Sequence, residues 1–207
     1  MTSSPPFSHL TFDRTCFRIG GKPVYLYSGE MHYFRVPKPD WLRRMQLLKD
    51  AGGTCVATYI PWLLHEPQEG QFCFGETADW LDIEGFLQCA SQAGLYVIAR
   101  PGPYQYSELI YDGLPGWLCE GYPEILARDA NGKSFRYSSV SYLHPLFLRK
   151  VQRWFETVCS ILARYTLPKG GPVALVQLDN EAIGIHEWFD SLDYHPETMG
   201  FGKENGR

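Results

Sequence analysis

Four times along the chain an apolar, strand-like run gives way to an amphipathic stretch, and that alternation sets the expected architecture. Residues 24–29 (Val-Tyr-Leu-Tyr-Ser-Gly) read as a first strand. Residues 39–50 follow, with Trp41, Leu42, Met45 and Leu48 at helical spacing and Pro39 suited to a first helical turn. Ala51-Gly-Gly53 stops that helix before a second strand at 54–60. Trp80, Ile83, Phe86, Leu87 and Ala90 mark a second helix, which Ala93-Gly94 ends. A third strand is predicted at 95–99, a longer helix at 147–165 and a fourth strand at 173–178.

Strands alternating with helices predict parallel βαβ units joined by right-handed crossovers, hence an α/β fold. The connections at the strand carboxyl ends are long (30–38, 61–78 and 100–146), and those at the amino ends are short. A (β/α) barrel or an open α/β sheet carrying its site on one face would show that asymmetry. An eight-stranded barrel takes about 250 residues. The chain has 207 residues and four units, so it is expected to be the N-terminal part of such a barrel, cut short.

Composition narrows the functional classes. The net charge is −4 and the 19 basic residues are dispersed, so no basic stripe points to nucleic acid. No apolar run approaches the roughly 20 residues needed to cross a bilayer. The N-terminus lacks the basic and apolar regions of a secretory signal. Cys16, Cys55, Cys73, Cys89, Cys119 and Cys159 show no Cys-x-x-Cys spacing, which favours free thiols and a cytoplasmic location. Aromatic residues make up 15% of the chain; sugar sites use aromatic faces, although aromatic cores are the commoner reason.

Chemistry is expected where the strands end, because ligands collect at the carboxyl ends of parallel strands. Glu30 and His32, then Tyr59, Trp62, His65 and Glu66, then Arg100 and Tyr104, then Asn180 and Glu181 occupy those positions. Each has a plainer reading. His32 could be satisfied by neighbouring backbone, Trp62 could pack under a loop, and Arg100 could pair with a strand-end carboxylate to hold the rim. A glutamate ending the run Ala174-Leu-Val-Gln-Leu-Asp-Asn-Glu181 could cap a helix. It could also sit over apolar packing that raises its pKa towards that of a neutral-pH proton donor. His65 and Glu66 lack a third ligand at sensible spacing, so neither a metal nor any cofactor is implied. No glycine-rich phosphate loop follows any strand.

These residues, in this order, resemble glycoside hydrolase family 35, the β-galactosidase family of a retaining clan with (β/α)8 TIM-barrel catalytic domains. The likeness runs from about Tyr27 to Glu181. Ser28-Gly-Glu-Met-His-Tyr33 with Phe34-Arg35 is similar to the family's first-strand signature. Thr58-Tyr-Ile-Pro-Trp62 with His65-Glu-Pro67 resembles the second. Arg100-Pro-Gly-Pro-Tyr104, Glu108 and Gly113-Leu-Pro-Gly-Trp117 resemble the third. Gly170-Gly-Pro172 and Gln177-Leu-Asp-Asn-Glu181 resemble the fourth.

The resemblance implies hydrolysis of terminal β-D-galactosyl residues, with Glu181 as general acid/base and Asn180 on the sugar 2-hydroxyl. Tyr59 and Glu108 would contact other ring hydroxyls, with Ser107 standing where the family usually has alanine. Leu109 replaces the usual tryptophan, Asp112 the first glycine of a Gly-Gly pair, and Ala182-Ile-Gly184 the common Tyr-Gly. The nucleophile, a glutamate of the seventh barrel strand, is expected beyond Arg207, since no strand returns Glu187 or Glu197 to the site. The expected partner is a β-galactoside or related oligosaccharide, with no nucleic acid and no membrane; the oligomeric state is left open. Two alternatives stand: a non-catalytic sugar-binding remnant, and a clan-related β-glycosidase of different sugar specificity.

Overall fold

The computed structural model describes residues 9–136, 138–181 and 190–199; Ala182-Ile-Gly184 and Glu187 lie outside the described residues. The chain forms two compact units. One comprises Met1–Ile60, Cys73–Pro101 and Val158–Leu178, the other Pro61–Phe72, Gly102–Thr157 and Asp179–Arg207.

The first unit opens with a small antiparallel sheet that the periodicity did not predict: β1 (Leu10–Phe12), β2 (Phe17–Ile19) and β3 (Lys22–Val24). Its first turn is built on the Asp13 carboxylate, which accepts the Thr15 and Cys16 N–H groups and the Arg18 Nε. Bonds from Thr15 first, and then Arg18, hold this carboxyl well below the usual carboxylate range.

The second sheet has the order β4-β5-β6-β7: β4 (Ser28–Glu30), β5 (Cys55–Tyr59), β6 (Tyr96–Gly102) and β7 (Val173–Leu178). β4 runs parallel to β5, with Glu30 opposite Ala57. β5 runs parallel to β6, with Tyr59 opposite Arg100. Four of the five β5 side chains are buried, as expected of a strand covered on both faces. Between the strands lie α1 (Trp41–Asp50) and, after a short α2 (Trp62–His65), α3 (Ile83–Ala93). α1 and α3 pack on each other around Tyr33, Trp41 and Phe86. The Tyr33 ring lies 6.2 Å from Trp41 and 5.5 Å from Phe86, centroid to centroid. Aromatic contacts of this kind add about 0.5–1.5 kcal/mol beyond area burial.

Two elements depart from the sequence expectation for local reasons. The predicted strand at 24–29 splits, because Thr54 takes the backbone groups a ladder would otherwise satisfy. Its hydroxyl donates to the Tyr25 carbonyl at 2.6 Å and accepts the Tyr27 N–H at 2.8 Å, leaving both tyrosine rings exposed. The predicted second helix loses Trp80, which sits in a 3-10 turn (Asp79–Leu81), because Asp82 caps α3 by accepting the Gly85 N–H at 2.8 Å. Gly94, at φ 69°, ends α3 in the left-handed conformation that favours glycine. Before β7, a side chain at Gly171 would place its Cβ 2.1 Å from the Tyr165 carbonyl oxygen, so only glycine fits. β6 runs three residues beyond its predicted end, through Arg100-Pro101-Gly102.

The long connections are built loops. In the second unit, α2, α4 (Gly116–Gly121) and the first part of α5 (Pro145–Arg164) gather three tryptophans. Trp62 stacks on Trp154 at 5.9 Å and meets Trp117 edge-on at 6.0 Å. Glu66, with no exposed surface, ties them together. Its carboxylate accepts the Trp62 Nε1–H and the Gly70 N–H, both at 2.6 Å, and pairs with Arg153. Its carbonyl accepts the Trp117 Nε1–H at 2.8 Å. Trp62, His65 and Glu66 are therefore scaffold, and the expectation that they line the strand-end site is corrected: each is fully buried.

Candidate active site

In the first unit the strand ends bring Glu30, Tyr59 and Arg100 together. The parallel register sets Tyr59 and Arg100 side by side at the ends of β5 and β6. The Arg100 guanidinium carbon lies 3.9 Å from the Tyr59 ring centre, and its Nη1 pairs with the Glu30 carboxylate. His32 lies 4.9 Å from Tyr59, between that ring and Phe34. Arg100 thus takes the rim-tying role, holding a strand-end carboxylate and a buried tyrosine in one plane of contact.

In the second unit, the turn that leaves β7 and the loop that leaves β6 are stitched into one body. The Asp179 N–H donates to the Gly102 carbonyl at 2.9 Å, and the Asn180 N–H to the Tyr104 carbonyl at 3.0 Å. In return the Tyr104 N–H donates to Asp179 Oδ1 at 2.9 Å. The Asn180 side-chain NH2 donates to the Gln105 carbonyl at 3.1 Å, which fixes both the plane of the amide and which of its atoms is nitrogen. Asn180 and Gln105 are therefore held at hydrogen-bonding distance although 75 residues separate them.

The same body carries unusual backbone. Tyr106, Ser107 and Glu108 have φ of 62°, 55° and 49°; Asp179 and Glu181 have 56° and 55°. A non-glycine residue in the left-handed region costs roughly 1–2 kcal/mol. Such residues persist where surroundings over-determine them, and they cluster at functional sites. Glu108 and Glu181 are both exposed, and among the described residues neither carboxylate accepts a hydrogen bond from the protein.

Among the strand-end carboxyls, burial raises the pKa of Asp179. Glu181 is exposed. Asp179, two residues earlier, is partly buried, and that burial raises its pKa against the opposing hydrogen bonds from the Tyr104 N–H and the Tyr142 hydroxyl. Burial likewise pushes Tyr142 and Tyr104 far up, helped by Asp179 for the first and Asp112 for the second. Asp179, Gln105 and Tyr142 were not singled out from sequence. The one available signal was that Asp179 opens the polar triplet that ends an apolar strand.

The described residues contain no group of three or more His, Cys, Asp or Glu side chains able to hold a metal ion. No helix among them is long and apolar enough to cross a membrane.

A family model, glycosyl hydrolases family 35, matches residues 16–195, which span the sheet, the stitched loops and the Asn180-Glu181 turn. The chain belongs to that family. An exo-beta-D-glucosaminidase of Pyrococcus horikoshii is 42% identical over 173 residues, covering 82% of this chain and 22% of the relative. A beta-1,2-glucosyltransferase of Ignavibacterium album is 37% identical over 187 residues, covering 89% and 26%. The human beta-galactosidase is 37% identical over 172 residues, covering 83% and 23%. The chain spans about a quarter of the length of these curated relatives. In three dimensions it resembles the crystal structure of a beta-galactosidase from Marinomonas ef1, with a TM-score of 0.66 and 20% identity over 86% of this chain and 25% of that one.

Proposed function

We propose that this family 35 chain supplies the acid/base side of a retaining glycoside hydrolase acting on terminal β-D-galactosyl residues. Its sheet would form the first four units of a (β/α)8 barrel. The observation that carries the reading is the Asn180-Glu181 turn, held at the end of β7 by bonds from Asp179 and Asn180 to the loop bearing Glu108.

Glu181, protonated, gives its proton to the glycosidic oxygen as the bond to the anomeric carbon breaks. A second carboxylate, about 5–5.5 Å away in retaining enzymes, attacks that carbon to form a glycosyl ester. Glu181, now ionised, takes a proton from water, and the resulting hydroxide equivalent releases the sugar and restores both carboxyl groups. Asn180, its amide plane already fixed, is assigned the 2-hydroxyl. Glu108 is assigned a pair of adjacent hydroxyls, which an exposed carboxylate can accept. Ser107 and Tyr59 are assigned neighbouring sugar contacts on the family resemblance alone. On the family resemblance alone, the attacking carboxylate is expected beyond Arg207.

The test is made in a polypeptide of the relatives' full length that contains this segment. Glu181→Gln keeps shape but cannot donate a proton. Substrates with poor leaving groups should slow by roughly 10²–10⁴-fold, the range of general acid catalysis. An activated aryl galactoside should be hurt less in its first step, and azide should restore turnover of the intermediate. Equal slowing of both substrates without azide rescue would remove Glu181 from the role.

A β-D-glucosaminide is the second reading, favoured by the 42% identity to the exo-beta-D-glucosaminidase against 37% to the human beta-galactosidase. The two substrates differ at C2 and C4, so kcat/KM on matched aryl galactoside and glucosaminide decides between them.

A further inference from the structure

We propose that Asp112 is a positioning residue for sugar binding: its carboxylate clamps the loop that presents Ser107 and Glu108 and so sets which hydroxyl pattern the loop accepts. The inference rests on the glycosidase reading for the identity of the ligand, and on geometry for the clamp.

The loop leaves β6 at Gly102 and must turn back within a dozen residues. Three consecutive residues, Tyr106, Ser107 and Glu108, are held in the left-handed region without a glycine among them. What holds them converges on Asp112. Its carbonyl accepts two N–H groups, from Gln105 at 3.0 Å and from Tyr106 at 2.9 Å. Its own N–H donates to the Leu109 carbonyl at 3.0 Å, and the Leu109 N–H donates to that of Tyr106 at 3.1 Å. The residues on both sides of the left-handed triplet are therefore fastened to one another through Asp112.

The carbonyl can hold that position only if the residue itself is fixed, and Asp112 is also left-handed, at φ 55°. Its side chain supplies the anchor. Oδ2 accepts the Arg136 Nη2–H at 2.7 Å and the Ser138 hydroxyl, so two donors from a separate segment converge on one oxygen. Tyr104, at the start of the loop, lies near enough to feel the charge of the same carboxylate. The side chain is largely buried, and the Arg136 charge offsets the cost of burying it. Gly113 and Gln105 pack closely behind the staple: a Cβ at Gly113 would lie 3.1 Å from the Gln105 Cβ.

Glu108, at the exposed tip, has its direction set by three backbone torsions that this clamp maintains. A carboxylate that must meet two adjacent hydroxyls distinguishes epimers only if its direction is fixed. Releasing the clamp should therefore weaken sugar binding and erase discrimination between epimers at C4.

The experiment has two arms: hydrogen exchange on the 207-residue chain, and sugar titration in a polypeptide of the relatives' full length that contains it. In hydrogen exchange, Asp112→Ala should speed exchange of the Gln105 and Tyr106 amides by roughly tenfold, the scale of one lost buried hydrogen bond. Amides of β5 should keep wild-type protection. Asp112→Asn, which still accepts from Arg136 and Ser138, should change the loop amides less. In titrations with galactose and with glucose, Asp112→Ala should bind galactose about tenfold more weakly and bring the two affinities together.

Wild-type exchange at Gln105 and Tyr106 in Asp112→Ala would overturn the clamp. Faster exchange with unchanged galactose affinity and unchanged preference over glucose would overturn its role in binding. If Asp112→Ala loses protection throughout, Ser138→Ala, which removes one donor only, should show the same local pattern at smaller size; unaltered loop exchange there would overturn the clamp. A wild-type full-length polypeptide that binds neither galactose, glucose nor glucosamine would overturn the sugar reading itself, and the exchange arm would then still decide the clamp.

Discussion

Glu66 and Glu181 are both glutamates that follow a strand of the four-stranded sheet, both belong to the second unit, and both read as strand-end candidates in the sequence. Their surroundings are opposite. Glu66 has no exposed surface and is held by Trp62, Gly70 and Arg153 through its carboxylate and by Trp117 through its carbonyl. Glu181 is exposed, in a left-handed turn, with the bonds that fix it made by its neighbours Asp179 and Asn180. A buried carboxylate gripped by three donors holds protein together. One whose backbone is fixed and whose oxygens are open can meet a ligand.

The contrast is broken most directly by removing each glutamate in turn. Glu66→Ala strands a partly buried Arg153, the Trp62 indole donor and the Gly70 N–H, and should cost about 3–5 kcal/mol of stability in a denaturant or thermal melt, the usual loss when one partner of a buried pair is removed. A loss no greater than that of Glu181→Ala would end the distinction.

Asp179 lies between these extremes and should behave so. Asp179→Ala leaves the Tyr104 N–H without its acceptor and should cost roughly 1–3 kcal/mol. The folded pKa of Asp179 is raised above the ordinary aspartate value of about 3.9. The folded state therefore binds this proton more tightly than the unfolded one, and the group's contribution is fully present below that ordinary value. It is lost as pH rises through the folded pKa. Melts across that window should show a slope in the wild type that Asp179→Asn abolishes; an unchanged slope would place the proton elsewhere.

In the first unit, Arg100→Lys keeps the charge opposite Glu30 but loses the planar contact with Tyr59. A cost of about 1 kcal/mol is expected by chemical denaturation. The smallest effect is predicted for Glu181→Gln, whose stability should stay within about 0.5 kcal/mol of wild type, as for an exposed substitution away from structural bonds. A large loss there would mean that Glu181 is scaffold after all.

How far these roles were legible varies along the chain. β7 at 173–178 and the Asn180-Glu181 ending could be read directly, because an apolar run bounded by polar residues is a local signal. β5 and the long helix α5 were legible to within two residues at either end. The first strand was read too long, since the hydroxyl of Thr54 that ends it comes from the far side of α1. Glu66 looked like a rim residue because its partner Arg153 lies 87 residues away and leaves no trace in the local pattern. Asp179 was passed over beside Asn180 because its burial depends on Tyr104 and Tyr142, 75 and 37 residues distant.

The sequence alone determined the alternation of strands and helices, the membership of family 35 through four ordered motifs, and the position of the acid/base candidate at a strand end. Those properties rest on period and on residue identity, which are local or read in chain order. The tertiary structure decided which carboxylates are spent on structure and which are left open. It also decided that the Glu108 loop and the Asn180-Glu181 turn are fastened as one body, and that Asp112 carries the staple within that loop. Hydrogen-bond saturation and burial depend on groups brought together across long stretches of chain, so no window of sequence contains them.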